Sequence, residues 1–409
     1  MPLNDELKST LTLILAGGQG ERLKPLTLLR AKPAVPFGGA YRIIDFSLSN
    51  CIHSGLRRIH LLTQYQARSL EEHIRFGWNF LPRRLSQFIT VRPPHHRSTE
   101  KWYEGTADAI YQNIDTLQEE QPRHVLILSG DHIYKMDYGR MLREHLIHRA
   151  AVTIGAVRIP VSDSPRFGIL GCDERNRVTD FQEKPRQGRE IPGQPGWCLG
   201  SMGIYIFETQ ELIRRLESDA ALGTESSHDF GKDIIPRMID EVPVYAHHFV
   251  QRGTDRTPYW RDVGTLDAYY EANMDLCRVA PEFNLYDNDW PIYTLWHNDP
   301  PAKTVFDEEG RRAEVYDSLL CPGTIVSGAK IRRSILSNRV VVEEHAQVED
   351  SILYGNVVVG RGARIRRAIV DKWVKVPEGF QIGYDPAADA QRFTVTESGI
   401  TVVPAHYAF

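Results

Sequence analysis

The chain has 409 residues, 42% of them hydrophobic and 25% charged, the makeup of a protein long enough for two or more separate cores. Its formal charge is −4 and its lysines and arginines are scattered, which gives no footprint for nucleic acid or a membrane surface. The five cysteines (Cys51, Cys172, Cys198, Cys277, Cys321) fall at neither metal-ligand nor redox spacing, the N-terminal stretch is polar and acidic, and no apolar run is long enough to span a bilayer, which together predict a cytoplasmic protein.

From Leu11 to about Arg278, short apolar runs alternate with segments of helical period. Examples are Leu11-Thr12-Leu13-Ile14-Leu15, Ile59-His60-Leu61-Leu62, His124-Val125-Leu126-Ile127-Leu128 and the run from Val152 to Val157. This alternation predicts an α/β domain over 1–278 with a mostly parallel sheet, whose ligands sit at the carboxyl ends of the strands.

The first run opens into Ala16-Gly17-Gly18-Gln19-Gly20-Glu21-Arg22. Glycines after a strand let backbone N–H groups approach phosphates, and Arg22 adds a planar multi-donor cation; a plain tight turn reads the same way. Lys32 follows in Arg30-Ala31-Lys32-Pro33, and Gln64, after the second run, offers both an amide donor and an acceptor for a base or serves a turn. Tyr103, Gly105 and Thr106 stand at the start of a predicted helix, whose free amides suit a nucleotide. Asp131 ends a buried strand in Ser129-Gly130-Asp131-His132, and Asp262 lies far downstream in Tyr259-Trp260-Arg261-Asp262. Glu183 and Lys184 precede Pro185, Ser201 opens a further apolar run, and Asp229 and Lys232 belong to Ser226-Ser227-His228-Asp229-Phe230-Gly231-Lys232, where a helix cap competes with a binding role.

Residues 279–314 change to Pro, Asn, Asp and aromatics without a period and read as a linker. Over 315–409 a repeat appears. Ile325, Val342, Val359 and Val376 recur at a spacing of 17, as do Ile331, Val348, Ile365 and Ile382, and Ser334-Ile335-Leu336 recurs as Ser351-Ile352-Leu353 and Ala368-Ile369-Val370. Within a period the apolar positions are six apart with small residues between, the pattern of stacked hexapeptide rungs in a β-helix.

The loop motif continuing into Pro25-Leu26-Thr27 and Arg30-Ala31-Lys32-Pro33-Ala34-Val35-Pro36 resembles the signature of sugar-nucleotide pyrophosphorylases. The run from Arg42 to Gly55, with Thr63-Gln64-Tyr65, is similar to the branch of glucose-1-phosphate adenylyltransferases. That resemblance implies a Rossmann-like (GT-A-like) nucleotidyltransferase domain followed by a left-handed parallel β-helix. It implies ATP and glucose 1-phosphate as substrates, ADP-glucose and pyrophosphate as products for glycogen or a related α-glucan, and usually a homotetramer.

By the same resemblance, Arg22 and Lys32 hold the β- and γ-phosphates, and the segment with Tyr103, Gly105 and Thr106 lies along the adenosine. Glu183, Lys184, Ser201, Asp229 and Lys232 surround the sugar phosphate. Asp131 and Asp262 hold Mg2+, which takes hard oxygen ligands. An anionic effector would bind between the domains, where Arg30, Arg42 and Lys372 supply cations. Leu28-Leu29 stands where fructose-1,6-bisphosphate-activated relatives carry a lysine, so strong activation by that sugar is not expected. Two alternatives remain at this point: a pyrophosphorylase for another nucleotide sugar, and a regulatory sugar-phosphate-binding subunit.

Overall fold

In the computed structural model, residues 3–93, 102–250 and 256–409 are described. The strands Arg58–Leu62, Leu11–Leu15 and His124–Ser129 run parallel side by side, and Phe88–Arg92 extends the row beyond Arg58–Leu62. Their pleat divides the apolar residues between two faces. Leu11, Leu13, Val125 and Ile127 point into one core cluster, and Ile14, Leu126 and Leu128 into the other. Each of these side chains is at most 1% exposed, so each contributes about 1.5–3 kcal/mol of burial.

On the other side of His124–Ser129 the sheet turns antiparallel. The long strand Gln194–Glu208 pairs there, and through it Val152–Pro160, Gly168–Cys172 and Val178–Glu183 join. A separate two-stranded ribbon, His132–Tyr134 against Trp260–Asp262, crosses the mouth of the parallel row and sets Asp262 opposite His132. This ribbon brings the two remote acidic segments together.

The C-terminal part coils into three sheets of parallel strands, one short strand per turn in each, the third ending in the antiparallel strand Thr394–Val395. Ile331 stacks on Val348, Ile365 and Ile382, and Val342 on Val359 and Val376, at the predicted 17-residue spacing. Ile325 departs from its predicted column. Val326 pairs with Val342 instead and is fully buried, while Ile325 is 39% exposed, because the turn from Val326 to Val342 is one residue shorter than the turns after it. The coil also begins inside the stretch read as linker: Lys303–Val305 already pairs with Ile325–Ser327. Before that strand the stretch reaches the helix Ile43–His53, with the Trp290 indole donating to Asn50 and the Thr294 hydroxyl to buried Asp45.

One core cluster joins the two parts: Leu26, Phe37, Phe46 and Tyr269 from the first pack with Ile335, Ile352, Ile369 and Val402 from the second. Within it the Arg30 guanidinium donates to both carboxylate oxygens of Asp371 at 3.0 and 3.1 Å, with almost no solvent access on either side chain. A buried charge stripped of its partner is far more costly than the intact pair is favourable. Asp371→Ala is therefore expected to destabilise the protein by about 3–5 kcal/mol in chemical denaturation, and an unchanged midpoint would show that Arg30 finds another partner.

Candidate active site

The strand Leu11–Leu15 releases the chain at its carboxyl end into the glycine loop, where the Ala16 amide donates to Leu62 O at 2.9 Å. Two glycines are required by close approach. A Cβ at Gly17 would lie 2.9 Å from Gln64 Cβ, and one at Gly20, whose φ is +64°, would lie 2.9 Å from Thr27 Cγ2 and 3.3 Å from Lys32 Cβ. The loop is thereby pressed onto both Gln64 and Lys32, with Gly18 and the Arg22 side chain left exposed. Arg22 reaches the far side of the site, since a Cβ at Gly264 would lie 3.2 Å from its Nη2 and 2.9 Å from Asp262 Oδ1.

Lys32 is buried at the centre. Its Nζ donates to Asp131 Oδ2 at 2.7 Å and lies 3.5 Å from Asp262 Oδ1. Burial alone would push the Asp131 carboxyl up, but the Lys32 ammonium, His132 and hydrogen bonds from Lys32 and Ser129 outweigh it and hold the group below the ordinary carboxylate range. Asp131, His132 and Asp262 each offer a ligand atom, all within 4.8 Å of one another. Two hard carboxylates already sharing one ammonium form a donor set that fits a divalent cation.

A pocket beside this cluster is walled by Thr106, Glu183, Lys184, Ser201, Asp229 and Asp262. Glu183 is wedged between two glycines: a Cβ at Gly168 would lie 3.0 Å, and one at Gly231 2.6 Å, from its Oε2. Lys184, at a φ of 47°, pairs with Glu183 at 3.0 Å and is 58% exposed at the pocket mouth. The capping role that competed for Asp229 is realised, because Oδ1 accepts from the Gly231 and Lys232 amides; Oδ2 accepts from the Thr106 hydroxyl at 3.1 Å. Lys232 is exposed and is not among the pocket residues.

The helix Thr106–Tyr111 differs from expectation in one respect. The Ala107 and Asp108 amides, expected to be free, donate to His228 O at 2.8 and 3.3 Å, so the helix start is stapled to the segment that carries Asp229. Tyr103 lies half-buried nearby and its hydroxyl accepts from Asn113 at 3.1 Å. His228 itself adopts a φ of 54° and is held by Asp219, whose Oδ2 lies 2.6 Å from Nδ1 while Oδ1 accepts from Ser226.

Several pocket residues were not singled out from the sequence: His132, Arg166, Phe167, Tyr205 and Trp260. For Trp260 a signal existed, since residues two apart on a strand share a face and Trp260 stands two before Asp262. Tyr205 carried none, because it reads as one more apolar residue of a buried strand.

Of the three cations proposed between the domains, Arg42 and Lys372 line a cleft there with His297, Asp299 and Arg339. Arg30 does not, because Asp371 takes up its guanidinium. Burial, with Arg42 and Arg30 nearby, lowers the Lys372 pKa to about 8. Among the described residues no helix is long and apolar enough to cross a membrane.

Known proteins match both parts of this chain. The family model "Nucleotidyl transferase" matches residues 11–279, and the model "GlmU-like, C-terminal hexapeptide" matches 300–403. The glucose-1-phosphate adenylyltransferase of Dechloromonas aromatica (strain RCB) is 51% identical over 97% of this chain and 91% of its own length. Those of Paramagnetospirillum magneticum (strain ATCC 700264 / AMB-1) and Koribacter versatilis (strain Ellin345) are each 52% identical over 98% of this chain, covering 95% and 96% of their own lengths. Identity of this extent, running through catalytic part and coil alike, makes the chain a member of the glucose-1-phosphate adenylyltransferase family.

Proposed function

We infer that this chain transfers the adenylyl group of ATP to glucose 1-phosphate, forming ADP-glucose and releasing pyrophosphate. The observation that carries the reading is the convergence of Asp131 and Asp262, from segments far apart in sequence, on the single ammonium of Lys32 between a glycine loop and a polar pocket.

The attacking atom is a phosphate oxygen of the sugar phosphate, which is already an anion. The protein needs no general base for it and has to bring two polyanions into line against their repulsion. ATP lies in the loop of Ala16, Gly17, Gly18 and Gly20, with Gln64 at the base and Tyr103, Gly105 and Thr106 along the nucleoside. Arg22 and Lys32 take the β- and γ-phosphates and stabilise the pyrophosphate as it leaves. Glu183, Ser201 and Asp229 accept from or donate to sugar hydroxyls, and Lys184 fixes the attacking phosphate, with Lys232 outside the pocket lining. Asp131 and Asp262 would hold Mg2+, which when bound neutralises phosphate charge and orients the α-phosphate. The same reading gives a cytoplasmic homotetramer and an anionic metabolite effector in the cleft of Arg42 and Lys372, supported by the cationic lining of that cleft.

The direct test is incubation of the purified protein with ATP, glucose 1-phosphate and Mg2+, following pyrophosphate and ADP-glucose. UTP or dTTP serving better than ATP would move the chain to another nucleotide sugar, and no turnover would favour a regulatory subunit. Lys184→Ala is expected to raise KM for glucose 1-phosphate at least about tenfold, the order of one lost charge-assisted hydrogen bond, with KM for ATP nearly unchanged. Equal shifts in both constants would contradict its assignment.

A further inference from the structure

We propose that Arg166 is a second cation for the phosphate of glucose 1-phosphate, acting beside Lys184; this rests on the reading of the pocket just given. Arg166 closes the helical turn Val161–Arg166 and lines the same pocket as Lys184, Glu183 and Asp262. The register of the sheet sets the two cations side by side. Gly168 pairs with Glu183, and the Lys184 amide donates to Phe167 O at 3.0 Å, so the residue before Phe167 lies across from the end of the Glu183-Lys184-Pro185 run.

The guanidinium is only loosely engaged. Its Nη2 lies 3.4 Å from Asp262 Oδ2, a long contact, and the side chain is 51% exposed. Its carbon lies 5.9 Å from the centre of the Phe167 ring, at the outer reach of a cation–π contact. An arginine has five N–H donors in a planar fork, and this is the guanidinium's one hydrogen bond among the described residues.

Asp262 therefore has two organic cations near it, Lys32 on Oδ1 and Arg166 on Oδ2. Held by Asp131 and Asp262, a divalent cation would supply that counter-charge in place of both. Lys32 is then available to the ATP phosphates and Arg166 to the sugar phosphate, whose paired oxygens match the guanidinium fork better than the point charge of Lys184 does.

The test compares Arg166→Gln and Lys184→Ala in steady-state kinetics, and measures Mn2+ binding to the substrate-free proteins by water-proton relaxation. Arg166→Gln is expected to raise KM for glucose 1-phosphate about tenfold, with a smaller fall in kcat, an unmoved KM for ATP, and partial recovery in Arg166→Lys. It should bind Mn2+ no more weakly than the parent, having lost a competing cation. An unmoved KM for glucose 1-phosphate in Arg166→Gln alongside a raised one in Lys184→Ala overturns the proposal and leaves the pocket reading intact. Weaker Mn2+ binding with a lower kcat and an unchanged KM also overturns it, making Arg166 only a support for Asp262. If neither variant shifts KM, the proposal fails together with the pocket reading.

Discussion

Asp131→Asn is expected to lower kcat by at least about a hundred- to a thousandfold while the protein stays folded, the range seen when one preorganised electrostatic contact to a reacting group is removed. Asparagine fills the same volume and still accepts from the Ser129 hydroxyl, but it gives a divalent cation a neutral oxygen in place of a carboxylate. Lys32 keeps Asp262 as a counterion at 3.5 Å, which is why the fold should survive. The melting temperature should fall by no more than about 5 °C, measured alongside turnover with saturating substrates. Because the Asp131 pKa is depressed, the stability it contributes is fully present above the ordinary carboxylate value and is lost only as pH falls toward the lower folded value. Acid unfolding of Asp131→Asn should accordingly lack that component. Turnover near the parent rate would remove Asp131 from the chemistry altogether.

Gly105→Ala should be the next most damaging change, although the residue is the extended cap of the helix Thr106–Tyr111 and its φ is open to any side chain. The reason is contact. A Cβ there would lie 2.2 Å from His228 O and 2.5 Å from Ser227 O, both backbone atoms that cannot rotate away. To make room, the helix Thr106–Tyr111 and the segment carrying Asp229 must separate by about an ångström, breaking the amide contacts to His228 O and the Thr106–Asp229 hydrogen bond. Displacement on that scale costs about a hundredfold in kcat/KM, and since the proposed function puts one element at the nucleotide and the other at the sugar, both substrates should be affected. A loss confined to the ATP side would show that the two elements are not mechanically joined. His228 contributes to the same joint, as its left-handed backbone and the Asp219 contact fix the carbonyl that the helix start needs.

The glycine loop was readable because its constraints are local. A buried strand followed by glycines and an arginine states where backbone must come close to something, and the glycines at Gly17 and Gly20 do abut Gln64 and Lys32. The free amides at the helix start were misread for the opposite reason. Their partner, the His228 carbonyl, is more than a hundred residues away, and nothing near Thr106 announces it.

By itself, then, the sequence determined what repeats and what is short-range: alternating strands and helices, the glycine loop, and a coil whose 17-residue period is visible because each turn packs on an identical neighbour. Tertiary structure alone decided which distant charges meet. It put Asp262 opposite His132 through a three-residue ribbon, took Arg30 out of the cleft by burying it against Asp371, shortened the turn from Val326 to Val342 so that Val326 replaced Ile325, and set Arg166 beside Lys184. Periodicity encodes a face and a spacing, whereas the partner of a charge depends on chain closure over tens to hundreds of residues, and that is settled only when the whole core packs.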